Sequence, residues 1–118
     1  MVLVDTSVWV SHLRHGNEEL QKLLHEGEVV CHPFIVGELA CGNLKNRHQV
    51  LTYLQSLPMT DLAEDEEVLK FIENQQLMGK GLGYIDVHLI ASAVLTSVLL
   101  WTLDKTLEKF TETLGINY

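Results

Sequence analysis

Short apolar runs alternate with stretches of helical periodicity along the whole chain, and this alternation restricts the fold more than any other feature. Val2 to Val4 reads as a strand ending at Asp5, and Ser7 to Arg14 as a helix stopped near Gly16. Leu20, Leu23 and Leu24 set a helix over Asn17 to Glu26, with Asn17 as cap and Gly27 as stop. A second strand is expected over Glu28 to Cys31, then a helix from Pro33 to about Gly42. Arg47 to Leu57 reads as a helix ended by Pro58, Met59 to Leu62 as an edge-like strand, and Glu64 to Met78 as a long helix with an acidic face. After a turn at Gly79, Gly81 and Gly83 come a buried helix (Tyr84 to Thr96), a strong strand (Val98 to Leu103), a helix (Lys105 to Leu114) and a last short strand (Ile116 to Tyr118). Such alternation implies an α/β fold, a mostly parallel sheet with helices on both faces. In that architecture ligands bind beyond the carboxyl ends of the strands, near a topological switch point. Asp5 and Asp104 each stand just after a strand, where that rule places chemistry.

The 118 residues are expected to form one domain, 1–118. At 47% hydrophobic and 20% charged, the chain holds enough apolar material for one core. Its two cysteines, Cys31 and Cys41, make no disulfide framework, and no Cys/His spacing points to zinc. The amino terminus has neither the basic region nor the long apolar run of a signal peptide, and Leu89 to Leu103 is too short to span a bilayer. These features predict a cytoplasmic chain with no membrane segment. The net charge of −8 argues against nucleic acid, because phosphates are held by Lys and Arg. Acids gathered around a divalent cation would reverse the sign locally.

Each candidate acid has an ordinary explanation. Asp5 and Asp104 could cap helices, and Asp86 could favour the first helical turn. Glu38 could be a solvated helix position, although Phe34, Ile35 and Cys41 lie near it on the helix surface. Taken together, these acids have no basic partner in their own segments. Clustered carboxylates repel by roughly 4 kcal/mol per pair at about 4 Å with an effective dielectric near 20. They must protonate or share a cation, and an all-oxygen site suits Mg²⁺ or Mn²⁺.

Four segments, in order, carry a resemblance: Val4-Asp5-Thr6-Ser7-Val8, Gly37-Glu38-Leu39-Ala40, Gly83-Tyr84-Ile85-Asp86 through Ala93, and Leu100-Trp101-Thr102-Leu103-Asp104. They resemble the motifs of the PIN family, and more closely those of VapC toxins of bacterial toxin–antitoxin pairs. The resemblance covers essentially the whole chain. It implies a three-layer α/β/α sandwich, a Mg²⁺- or Mn²⁺-dependent endoribonuclease acting on RNA, a homodimer, and inhibition by a cognate antitoxin whose arginine can enter the site. The family's metal-holding and catalytic acids fall on Asp5, Glu38, Asp86 and Asp104, and its supporting catalytic hydroxyl on Thr102; Ser7 is a weaker supporting candidate. Many relatives carry a basic residue where this chain has Leu103, which takes away one point of RNA binding.

The remaining features read more plainly. His12, His15, His25, His32, His48 and His88 lack metal-ligand spacing and are expected at the surface or in the core. Trp9 and Trp101 read as core, and the acids from Asp61 to Glu67 as a solvated helix start. Lys45, Arg47, His48 and Lys80 are candidates for gripping RNA. The groove beside the first helices, around Trp9 and Leu13, is where an antitoxin tail would pack. A non-catalytic acidic pocket that holds a structural cation or a basic partner is the competing reading. A phospho-acceptor receiver domain fits poorly, because Asp5 lacks a paired acid after the first strand.

Overall fold

A computed structural model describes residues 1–118. The elements are β1 (Val2–Val4), α1 (Thr6–His15), α2 (Glu18–His25), β2 (Val29–Val30), α3 (Pro33–Ala40), α4 (Arg47–Ser56), α5 (Asp65–Gln75), α6 (Tyr84–Thr96), β3 (Leu99–Trp101) and α7 (Lys105–Thr113). The sheet order is β2-β1-β3, and both pairings are parallel, with Val2 opposite Val29 and Leu99. Central β1 is buried along its length, so helices cover both faces of the sheet in a three-layer α/β/α arrangement.

Two strands come out shorter than their apolar runs. β2 keeps only Val29–Val30, and β3 keeps Leu99–Trp101. Met59 and Asn117 contribute single parallel bridges, to Cys31 and Leu100, rather than full strands. These bridges satisfy the outer backbone: Cys31 N–H donates to Pro58 O at 2.8 Å, and Leu100 N–H to Ile116 O at 2.8 Å.

Local chemistry sets the helix starts. Asn17 caps α2 by accepting from Leu20 N–H at 2.9 Å, as expected. At α3, Pro33 occupies the first turn and the His32 ring caps it through Nδ1, which accepts from Phe34 N–H at 2.9 Å. α6 is buried from Val87 to Ala93 because it is enclosed by the sheet and by α5. The main core joins Leu3, Val4, Val8, Trp9, Ile35, Leu89, Ile90, Leu100 and Leu107; a smaller one joins Ala63, Val68, Leu77, Val87 and Ala91 beneath α5. Both cysteines are free, Cys31 buried and Cys41 exposed. No helix is long and apolar enough to cross a membrane.

From β1 the chain crosses to β2 on one side and later returns to β3 on the other. The crevice between the carboxyl ends of β1 and β3 is therefore a topological switch point.

Candidate active site

Asp5 leaves β1 at that crevice. Its N–H still belongs to the sheet, donating to Trp101 O at 2.9 Å, and its residue surface is only 7% exposed. It precedes α1 in the capping position, yet its side chain caps nothing. Oδ2 instead accepts from Ser7 Oγ and from Thr102 Oγ1, each at 2.8 Å. The ordinary cap explanation fails here, because the carboxylate is turned across the switch point toward the end of β3.

Thr102 is buried and joins the two strand ends. Its Oγ1 donates to Asp5 and accepts from Asp104 N–H at 3.0 Å. Ser7 makes a second tie, since its Oγ accepts from Leu103 N–H at 3.0 Å. The loop after β3 is thus pinned to the loop after β1 by two hydroxyls.

Asp104 is exposed and does cap its helix, with Oδ1 accepting from Leu107 N–H at 3.0 Å. Asp86 is half-buried in the first turn of α6, and its Oδ2 accepts from Gly83 N–H at 3.1 Å. Burial pushes the Asp86 carboxyl above the usual range; the Gly83 N–H opposes this, and the charges of Asp5 and Asp104 add to it. These three acids therefore share one electrostatic neighbourhood. Glu38 reaches it from α3: Thr6 Oγ1, one residue after Asp5, donates to Glu38 Oε1 at 2.8 Å. Glu38 is exposed, while Ile35 and Leu39 of the same helix are buried. Its partner is a hydroxyl at the edge of the site rather than a group in the core.

None of the four acids has a cationic partner; the Met1 amino group pairs with Glu28, and the His88 ring meets Asp65. No three His, Cys, Asp or Glu side chains are gathered closely enough to hold a metal ion. Gly83 N–H and Leu107 N–H each hold one carboxylate, Asp86 and Asp104, at the start of its own helix. The donor set nevertheless suits a hard divalent cation: it is all oxygen, lacks cationic competitors, and includes a buried acid anchored through one of its two oxygens. The tie from Thr6 to Glu38 spans 32 residues, and the one sequence signal of Thr6 is its place directly after the strand-end acid.

A groove of about 700 Å³ adjoins the site and runs along α1 to the start of α4. Thr6 and Glu38 line one part of it, Val10, Leu13 and Leu39 give it an apolar floor, and Arg14, His15 and Lys45 stand in its walls. Leu13 lines it as expected, whereas Trp9 is buried in the core.

The sheet order, the acids at its switch point and the tie between the strand ends define a class. Residues 2–112 match the family model described as PIN domain, and the chain belongs to that family. Within it the chain is of the VapC type. It is 42% identical over 109 residues to Ribonuclease VapC32 from two strains of Mycobacterium tuberculosis, covering 92% of this chain and 88% of the relative. The fold is also similar to the crystal structure of PAE2754 from Pyrobaculum aerophilum, with TM-score 0.62, 19% identity, and coverage of 96% of this chain and 85% of that one.

Proposed function

We propose that this protein is the ribonuclease toxin of a toxin–antitoxin pair and hydrolyses RNA phosphodiesters with a divalent cation. The observation that supports this most is Asp5, a buried acid at the switch point, paired with hydroxyls and with no basic group. Asp5, Asp86 and Asp104 would hold Mg²⁺ or Mn²⁺, with Glu38 joining directly or through water. When bound, such an ion supplies an acidified water and stabilises charge on the phosphate. The chain's own groups do the rest. Thr102 and Ser7 fix the Asp5 carboxylate so that its free oxygen keeps one direction. Glu38, held by Thr6 and open to solvent, would orient the attacking water or take its proton. The amino ends of α1 and α7 follow Asp5 and Asp104 directly and favour a phosphate nearby.

The groove beside α1 suits two partners in turn. Arg14 and Lys45 offer charge to an RNA backbone, answering in part the net charge of −8. The apolar floor suits the tail of a small basic antitoxin, whose Arg or Lys would reach the four carboxylates and compete with the cation. A homodimer belongs to the same proposal. The relative VapC32 is a ribonuclease, which supports the same reading for this chain.

Mapping the ends of the cut RNA tests the proposal. Attack by water needs no 2′-hydroxyl, so a substrate with one deoxynucleotide at the cut should still be hydrolysed, leaving no cyclic phosphate. Cleavage that requires that hydroxyl, or that persists in EDTA, would contradict the proposed chemistry.

A further inference from the structure

A second cleft, of about 430 Å³, opens between the starts of α3, α5 and the first half of α6. His32, Phe34, Leu62, Glu64, Asp65 and His88 are among its walls. It shares two helices with the acid site. Phe34 stands four residues before Glu38 on α3, on the same face, and both are exposed. Tyr84 and His88 bracket Asp86 on α6.

Three kinds of group meet in this cleft. The first is aromatic: Phe34, in the wall, stands edge-on to the His88 ring with centroids 4.9 Å apart and is partly exposed, and Tyr84, outside the wall, meets the same ring at 4.7 Å. The second is a carboxylate in use on one side only. Asp65 Oδ1 accepts from Tyr84 Oη–H at 2.8 Å and lies 3.1 Å from His88 Nε2, while Oδ2 has no partner. The third is an orphaned donor. His32 is 1% exposed, and its Nδ1 is committed to Phe34 N–H, so the neutral ring carries its proton on Nε2, where no acceptor meets it. Burial and the neighbouring His88 lower the His32 pKa to about 4, which keeps that ring neutral. Buried donors are nearly always satisfied, so this one points to an absent acceptor. His32, His88 and Asp65 do not form a group able to hold a metal ion. Glu64 and Asp65 at the rim repel phosphate.

We propose that this cleft seats one nucleobase of the RNA beside the cut, and that it selects bases with an exocyclic amine over uracil. The inference rests on the ribonuclease reading. Phe34 offers a stacking face. Asp65 Oδ2 accepts from the amine, whereas uracil presents a carbonyl on either side of its one ring N–H. His32 Nε2–H donates to a base acceptor once the Phe34 ring, its centroid 5.0 Å from that of the His32 ring, swings outward.

The test titrates AMP, CMP, GMP and UMP, without metal, into nitrogen-labelled protein and follows the imidazole signals of His32 and His88. The three amine-bearing nucleotides should saturate the shifts at several-fold lower concentration than UMP. Asp65→Asn should erase the difference, and Phe34→Ala should weaken all four alike. RNAs varied at the base beside the cut should follow the same order through KM rather than kcat. Signals that stay still, or that answer equally to UMP, overturn the proposal. So does a Phe34→Ala protein with altered oligomeric state and undiminished nucleotide binding, which would make the cleft a seat for a second copy. Nucleotide selection in a protein that cuts no RNA would leave this cleft standing and remove the ribonuclease reading.

Discussion

Thr102 carries more of the site than its size suggests. One hydroxyl donates to Asp5 and accepts from Asp104 N–H, so removing it disturbs two candidate ligands together. Thr102→Val keeps the shape and deletes both bonds. It should destabilise the protein by about 1–3 kcal/mol, the cost of unsatisfied buried groups. It should also weaken Mn²⁺ binding by roughly 10–100-fold, as measured by calorimetry. Binding equal to wild type would mean that Asp5 needs no hydroxyl to aim it. His32 gives a prediction of another kind. Its folded pKa of about 4 lies below its ordinary 6.5, so the unfolded chain takes up the proton first as pH falls. The stability it contributes is therefore complete above pH 6.5 and lost progressively down to about 4. His32→Asn keeps a capping oxygen for Phe34 N–H. Urea unfolding of this variant should show a shallower loss across that window; an unchanged slope would show that His32 titrates normally.

The elements explain which parts of the site were legible in the sequence. Asp5, Thr102 and Asp104 stand where apolar strands end, so local pattern alone places them at the head of a parallel sheet. Asp104 keeps the capping bond that its ordinary reading demanded and Asp86 sits in the first turn of its helix, while the Asp5 side chain caps nothing. Glu38 was harder to read. Its helix has apolar residues nearly all round, so spacing could not show that Ile35 and Leu39 point inward while Phe34 and Glu38 stay exposed. Strand length was overread for the same reason: Met59 and Asn117 lie in apolar stretches, but each has one neighbour to pair with. The histidines split as burial decides; His32 and His88 are interior and His15, His25 and His48 exposed, and only tertiary packing brings the first two together. The groove between α1 and α4 bears a prediction at this scale. Lys45 lines it, Arg47 leans back on Gly42 O at 3.5 Å, and Lys80 lies in the loop before α6. Replacing the three with Ala should weaken RNA binding and reduce its salt slope by roughly 0.7 for each phosphate left without a cationic side chain. Folding and cation affinity should persist, and an unchanged slope would place the RNA grip elsewhere.

At the scale of the whole molecule, an acidic chain of charge −8 approaches a polyanion, which is workable only if its acids are partly neutralised where the two meet. The eight Lys and Arg side chains make no ion pairs and remain available to RNA. Asp5, Glu38, Asp86 and Asp104 are proposed to form one cation site that cuts RNA. A single Mn²⁺ titration tests it, with melting temperature and cleavage of a labelled RNA read in the same samples, for wild type, Asp5→Asn and Asp86→Asn. For wild type, cleavage and stability should rise over the same concentrations, with about 2.7 kcal/mol gained at a hundred times the dissociation constant. Both variants should fold, lose the stabilisation and lose cleavage. Variants that still gain stability from Mn²⁺, or still cut RNA at the wild-type rate, would contradict the account.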